Sequence, residues 1–193
     1  GHRLAFSSAT TTESGLSARN ILPRKAVLEL SKLLSATEET VELMVGASYI
    51  DVKSKNLRFS SKLIDGKYPD YDKVFPTGEP LPLQISKDLL QSALSRASVL
   101  SNEKYRGVRF QLTNNKLKLT ANNPEQESAE EELEVLYGGA ELEVGFNIGY
   151  LLDVLNSIES ETVNFEFYGE DSSCIIKEID SDNDVYVIMP MRL

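Results

Sequence analysis

Apolar and polar positions along the 193-residue chain follow two periods, and the order in which those periods succeed one another recurs. The short run Leu81–Ile85 predicts a strand. Ser86 can cap a following helix, because its hydroxyl accepts from an amide of the first turn, and Leu89, Leu90, Ala93, Leu94 and Ala97 fall at helical spacing. Strand candidates Gly107–Thr113, Lys116–Ala121 and the longer Glu130–Leu136 come next, the first two joined by Asn114-Asn115, a pair suited to a tight turn. After Gly138-Gly139 the order returns. Strand Glu141–Phe146 precedes a helix capped by Asn147 with Leu151, Leu152, Leu155 and Ile158 along one side. Strands Val163–Phe167, Ser173–Ile179 and Val185–Met189 then close the chain.

A β-α-β-β-β unit is therefore written twice after residue 80. Residues 18–66 fit it as well, with a helix from near Pro23, where the first turn tolerates proline, and strands Val41–Val45, Tyr49–Lys53 and Leu57–Ile64. One helix on a small sheet buries too little to stand alone, so a repeat of about 55 residues predicts units that pack in pairs. Phe75-Pro76-Thr77-Gly78-Glu79-Pro80 has the composition of a turn or linker. The expected organisation is the second half of a domain over 1–75, a linker over 76–80 and a complete two-unit domain over 81–193. Gly1–Ser7 reads as the last strand of an absent first half, so the chain reads as a fragment. The fold class expected is α+β, with antiparallel sheets.

Charge changes the picture through its distribution. The net charge is −10, yet residues 1–118 hold 18 Lys/Arg against 12 Asp/Glu, whereas residues 119–193 hold 2 against 18. A uniformly acidic chain would argue against a nucleic-acid ligand; a basic front portion permits one. No apolar run approaches the ~20 residues that span a bilayer and no leader opens the chain, so a cytoplasmic protein without membrane contact is expected. Cys174 alone forms no internal disulfide and reads as a small packed hydrophobe. His2 and Cys174 are too few for a zinc site, and neither a phosphate loop nor a G-x-S-x-G elbow occurs. Asp180, Asp182 and Asp184 resemble the start of a calcium loop, but Val185 stands where its glycine belongs and Met191 where its glutamate belongs, which favours a solvated turn. No metal or cofactor is expected. Paired carboxylates leave an enzyme as a remote reading, because 30 acidic residues form pairs by chance.

Longer motifs carry more. Ser61-Lys62-Leu63-Ile64-Asp65-Gly66-Lys67-Tyr68-Pro69-Asp70-Tyr71, then Leu100-Ser101-Asn102-Glu103-Lys104-Tyr105-Arg106-Gly107-Val108, then Thr120-Ala121-Asn122-Asn123-Pro124-Glu125-Gln126-Glu127, and the ending Met189-Pro190-Met191-Arg192-Leu193 occur in this order. Together they resemble the bacterial DNA polymerase III β subunit, the replicative sliding clamp, over essentially the whole chain. The resemblance implies a DNA-clamp fold with helices on the inner face and sheets outside. It implies three similar domains per protomer and a head-to-tail homodimeric ring around duplex DNA. Measured against it, this chain begins inside the second domain, so ring closure is not expected of these residues alone. A non-enzymatic processivity factor is implied, tethering the polymerase III catalytic subunit, the clamp loader, other polymerases and repair proteins. The alternative is a stand-alone acidic adaptor that binds peptides and no DNA.

Three sets of residues follow from the resemblance, each beside a plainer reading. Lys25, Glu29 and Lys32 share one helix face opposite Val27, Leu30 and Leu34. Spacing alone describes a solvated face, whereas the resemblance makes Arg24, Lys25, Lys32, Lys73, Lys87 and Arg96 DNA-facing, with sequence-independent phosphate contacts. A peptide-binding pocket is implied at Gly1, His2, Arg3, Leu4, Pro69, Lys73, Val74, Ser173, Val187, Ile188, Met189, Pro190, Met191, Arg192 and Leu193. Lys73 stands where arginine is common in the family; it keeps the charge and loses the planar fork. The plainer reading of 185–191 is a final core strand with a frayed tail. Alternation puts Val185, Val187 and Met189 on one face and Tyr186 and Ile188 on the other, so one face can serve the core and the other a groove. The third set is a dimer interface at Val99, Leu100, Glu125, Glu127, Glu130 and Glu131, against the plainer reading of a solubilising acidic run.

Overall fold

The computed structural model describes residues 2–10, 18–35, 40–179, 181 and 183–192. In chain order they form strand β1 (Arg3–Ser7), helix α1 (Arg24–Ser35), strands β2 (Glu42–Val45), β3 (Tyr49–Lys53) and β4 (Arg58–Lys62), and a 3₁₀ turn (Tyr71–Val74). Strand β5 (Leu81–Ser86), helix α2 (Lys87–Val99) and strands β6 (Gly107–Thr113), β7 (Lys116–Asn122), β8 (Ser128–Glu134) and β9 (Leu136–Tyr137) follow. Strand β10 (Leu142–Asn147), helix α3 (Ile148–Ser157) and strands β11 (Thr162–Phe167), β12 (Cys174–Glu178) and β13 (Asp184–Ile188) complete the order. Two compact units result, one of residues 1–10 with 71–193 and one of residues 11–70.

The larger unit contains the two expected repeats, and their pairing has a specific form. One antiparallel sheet has the order β1-β13-β12-β11-β5-β9 and the other β10-β6-β7-β8. Strand β5 opens the first repeat but pairs with β11 of the second, while β10 opens the second and pairs with β6 of the first. Each repeat thus completes the other's sheet, and neither has a closed ladder alone. Between the sheets and the two helices lies one core. Phe110 and Phe146 meet edge to face at 5.4 Å, and Phe165 and Phe167 stack at 6.0 Å.

Local chemistry explains the helix starts. Ser86 Oγ accepts from the Leu89 amide at 3.5 Å, and Asn147 Oδ1 accepts from the Tyr150 amide at 3.2 Å. Leu90, Ala93, Leu94 and Ala97 are buried as the spacing predicts, whereas Leu89, one position off that stripe, is 57% exposed. The predicted strand Glu130–Leu136 is two strands. At Val135, itself buried, the chain leaves the four-stranded sheet and joins the six-stranded one as β9. Asn115, at the predicted turn, has φ +55, a left-handed conformation that asparagine tolerates. Its amide donates to Tyr137 O at 3.1 Å, fastening the turn to β9.

The smaller unit places α1 with the three-stranded antiparallel sheet β2-β3-β4, whose buried apolar residues are Ile50 and Val52, joined by Ala26 from the helix. Ile21 bridges to Ile64. The apolar face expected on this helix divides: Leu30 is half-buried, but Val27 is 49% exposed, and Leu28 and Leu34 are exposed with it. Three strands do not reach around so broad an apolar stripe.

Truncation of Phe110, fully buried among Phe146 and Phe165, is expected to cost about 3–5 kcal/mol of stability. Urea unfolding of Phe110→Ala followed by circular dichroism measures it; a loss below about 1 kcal/mol would contradict this packing.

Candidate functional site

Strand β1 pairs antiparallel with β13, setting Leu4 opposite Val187 and Phe6 opposite Val185. Alternation then divides β13 as its sequence suggests. Ile188 joins the main core with Tyr186 packed against it, while Val185 and Val187 turn outward. There they form a second apolar cluster with Ile175, covered by Leu4, Phe6, Val74, Phe75 and Tyr168. Phe6 contacts Tyr71 and Phe75, each at 6.2 Å between ring centroids, which holds the 3₁₀ turn over this face. Of the predicted pocket residues, Leu4, Val74 and Val187 therefore converge. Ile188 does not: its side chain is wholly buried on the opposite face, so it cannot line a groove.

The other predicted residues flank this cluster or lie apart from it. The Met189 amide donates to His2 O at 2.9 Å, prolonging the ladder beyond β1 and β13. Arg3, on the reverse side of β1 from Leu4, pairs with Asp153 on α3 and lies 4.5 Å over the Tyr150 ring. Past Pro190, the Met191 amide donates to Gly145 O at 2.9 Å, and Met191 and Arg192 line a cavity of about 380 Å³ with Tyr105 and Asn123. Ser173 precedes β12 and is half-buried, and Lys73 is exposed on the 3₁₀ turn. Pro69 falls in the other compact unit. Gly1 and Leu193 lie outside the described residues, as do Asp180 and Asp182.

Sequence reasoning missed Phe6, Phe75, Tyr168 and Ile175 in the apolar cluster, and Tyr150 and Asp153 beside Arg3. Phe6 was signalled by its two-residue spacing from Leu4; the α3 residues had no local signal. Glu166 anchors the rim of the cluster, accepting from Tyr168 Oη at 3.0 Å and from Lys177 Nζ at 3.2 Å. Burial, with the Glu166 carboxylate second, pushes the Tyr168 phenol up to about 12. Cys174 lies in the core, and its burial raises the thiol well above the ordinary range.

The predicted cations divide in the same way. Arg24 and Lys25 are exposed on α1, and Lys32 reaches Glu29 at 3.4 Å. Lys87 Nζ donates to Ile158 O at 3.1 Å, at the end of α3 where the helix dipole favours a cation. Arg96 grips Glu131 through two hydrogen bonds of 2.6 and 2.8 Å, which hold the Glu131 carboxyl below the usual range. A residue predicted to face DNA and one predicted at the dimer interface thus engage each other. That fork lays the last turn of α2 against β8, the edge strand of its sheet, where Val99 is 78% exposed and Leu100 half-buried. On β8, Glu130 meets Lys118 at 3.0 Å, while Glu125 and Glu127 are exposed in the preceding turn. Asp184 begins β13 opposite Ser7. Among the described residues, no three Asp, Glu, His or Cys side chains are placed to hold a metal ion, and no helix is long and apolar enough to cross a membrane.

Two repeats exchanging their opening strands around one core, with a second apolar cluster on the far face of the six-stranded sheet, define a clamp-type α+β domain. Comparison with known families matches residues 72–192 to "DNA polymerase III beta subunit, C-terminal domain" and residues 1–70 to "DNA polymerase III beta subunit, central domain". The chain belongs to the β sliding clamp family. It is 46% identical over 194 residues to the beta sliding clamp of Pseudomonas aeruginosa and 46% identical over 193 residues to that of Escherichia coli K12. In each comparison all of this chain is covered and 53% of the relative, so the chain spans about half the length of the curated relatives it matches. A crystal structure of the P. aeruginosa sliding clamp with ligand superposes with a TM-score of 0.97 at 46% identity, covering 100% of this chain and 53% of that one. The Caulobacter crescentus polymerase III β structure gives 0.93 at 34% identity, covering 100% and 52%.

Because burial outranks Glu166 in raising Tyr168, Glu166→Gln is expected to bring the phenol down from about 12 while leaving it above the ordinary value of about 10. Ultraviolet titration of the phenolate tests this, and an unmoved Tyr168 would remove Glu166 from the rim.

Proposed function

We propose that this chain is part of a DNA replication processivity factor, a ring that encircles duplex DNA and holds its partners through the groove around Leu4, Val74 and Val187. The observation that carries the reading is the likeness to β sliding clamps along the entire chain, and three residues named from that resemblance, Leu4, Val74 and Val187, share one apolar cluster. The protein does no bond chemistry in this reading; it tethers. Its groove takes short linear segments of the polymerase III catalytic subunit, the clamp loader, other polymerases and repair proteins, and it works in the cytoplasm. The P. aeruginosa DnaN sliding clamp has been solved bound to griselimycin, and we expect that ligand to bind here as well.

In the same reading, residues 1–75 supply the second half of a central domain and residues 81–193 a complete C-terminal one. Arg24, Lys25 and Lys32 of α1 are candidates for phosphate contacts, and Lys73 of the other unit is a further one. Arg96 contributes less, since two short hydrogen bonds to Glu131 hold it, and Lys87 is held by the Ile158 carbonyl. The β8 edge with Val99 and Leu100 is one half of a homodimer interface, in which the acidic side chains set orientation. The second half would come from residues outside this chain.

A peptide carrying Gln-Leu-x-Leu-Phe is expected to bind the protein, and Leu4→Asp to weaken it by about tenfold or more. Fluorescence anisotropy measures both, and equal binding by the variant would sink the groove assignment. Charge reversal at Lys25 and Lys32 together is expected to shorten retention of the complete ring on circular DNA at low salt and to flatten its salt dependence. Unchanged retention would count against the bore assignment.

A further inference from the structure

Strand β8 carries carboxylates on both of its faces, and the two faces are satisfied differently. Glu130, Glu132 and Glu134 alternate along the exposed face, where Glu130 meets Lys118 and Glu132 meets Lys116, both on the neighbouring strand β7. Glu131 lies on the opposite face, between Ala129 and Leu133, which pack against the main core. A carboxylate on the core-facing side of a strand is costly unless it is paired. Its partner comes from outside the sheet. Arg96, in the last turn of α2, donates from Nε to Oε1 at 2.6 Å and from Nη2 to Oε2 at 2.8 Å. Both carboxylate oxygens are thereby engaged, and only 23% of the Glu131 side chain stays exposed.

What this fork holds is the place where α2 ends. Helix ends fray because their last carbonyls lack helical donors. Val99, three residues beyond Arg96 and on the same side of the helix, is 78% exposed, the most exposed large apolar side chain among the described residues. Leu100 follows it, half-buried. Among the described residues β8 pairs only with β7 and ends its sheet. An exposed apolar side chain and a strand edge thus lie on two different elements, and a planar, two-bonded clamp joins those elements.

We propose that Arg96 and Glu131 are positioning residues of the homodimer interface: together they fix the last turn of α2 to β8, so that Val99, Leu100 and the β8 edge meet the partner protomer as one surface. This rests on the interface reading given above and changes the part Glu131 plays in it. With both oxygens held by Arg96, Glu131 has little left to offer a cation of the partner. Orientation by charge falls instead to the carboxylates of the exposed face.

Subunit exchange between two differently labelled pools of the full-length ring, followed by fluorescence energy transfer, tests this. Arg96→Leu and Glu131→Gln are each expected to speed exchange roughly three- to tenfold, and the double variant no more than the faster single one, because either change removes the same clamp. The charge swap, Arg96→Glu with Glu131→Arg, is expected to return exchange to within about twofold of wild type. A Glu131 that engaged a cation of the partner would give the opposite signs. Arg96→Leu would then release the carboxylate and slow exchange, and the swap would set like charges across the interface and speed it further. Either of those results, or exchange unmoved by both single variants, overturns the positioning role. Thermal melting of the same variants is expected to move little, as for an exposed pair; a loss of stability in step with the faster exchange overturns the role as well. If Val99→Ala leaves exchange unchanged, or the wild type forms no dimer, the interface reading itself falls and the positioning role with it. The sign of the Arg96→Leu effect decides even where the swapped variant folds poorly.

Discussion

Strand β13 is apolar on both faces, and much of the larger unit follows from covering each of them. Its inward residue Ile188 joins the aromatic core, with Tyr186 packed against it, while Val185 and Val187 point the other way. Water is a poor neighbour for both sets, so the outer face must also find cover. It obtains that cover from Leu4 and Phe6 of the pairing strand, from Val74 and Phe75 of the following segment, and from Tyr168 at the end of β11. These covering residues remain only partly buried. The second apolar cluster is thus a consequence of how the strand is satisfied.

Electrostatics acts differently in different parts of the chain. Along β7 and β8, cations are matched locally: Lys118 to Glu130, Lys116 to Glu132, and Arg96 from α2 to Glu131. Exposed pairs of this kind add little stability, but they orient side chains and occupy charges that would otherwise attract phosphate. Arg24 and Lys25, on α1, are exposed. The net charge of −10 is therefore a poor guide to ligands, because the acidic surplus and the exposed cations of α1 belong to different compact units.

Periodicity carried most of the fold. The strand and helix order, both side-chain caps and the Asn114-Asn115 turn were legible because each depends on residues within a few positions of one another. What escaped is nonlocal. The passage from β8 to β9 at Val135 interrupts no apolar pattern, since both sheets bury the same side of the chain. The Arg96–Glu131 fork joins residues 35 positions apart, and the Arg3–Asp153 pair joins residues 150 apart. Neither has a sequence signature. The division of β13 between the main core and the second cluster was legible because alternation is local, whereas the identity of the covering residues depended on which distant segments topology brings above it.

The exchange of opening strands bears on the smaller unit. In the larger one, the first strand after each helix, β6 or β11, pairs on one side with the opening strand of the other repeat. Strand β2 holds the same place after α1, yet among the described residues it pairs only with β3, and Leu43 and Met44 are exposed along it. Val27, Leu28 and Leu34 of α1 are exposed as well. An open edge beside uncovered apolar side chains is a state that folded domains avoid, because it invites pairing with other chains. The repeat logic states what would relieve it: a strand from a companion unit on β2 and a companion helix beside α1.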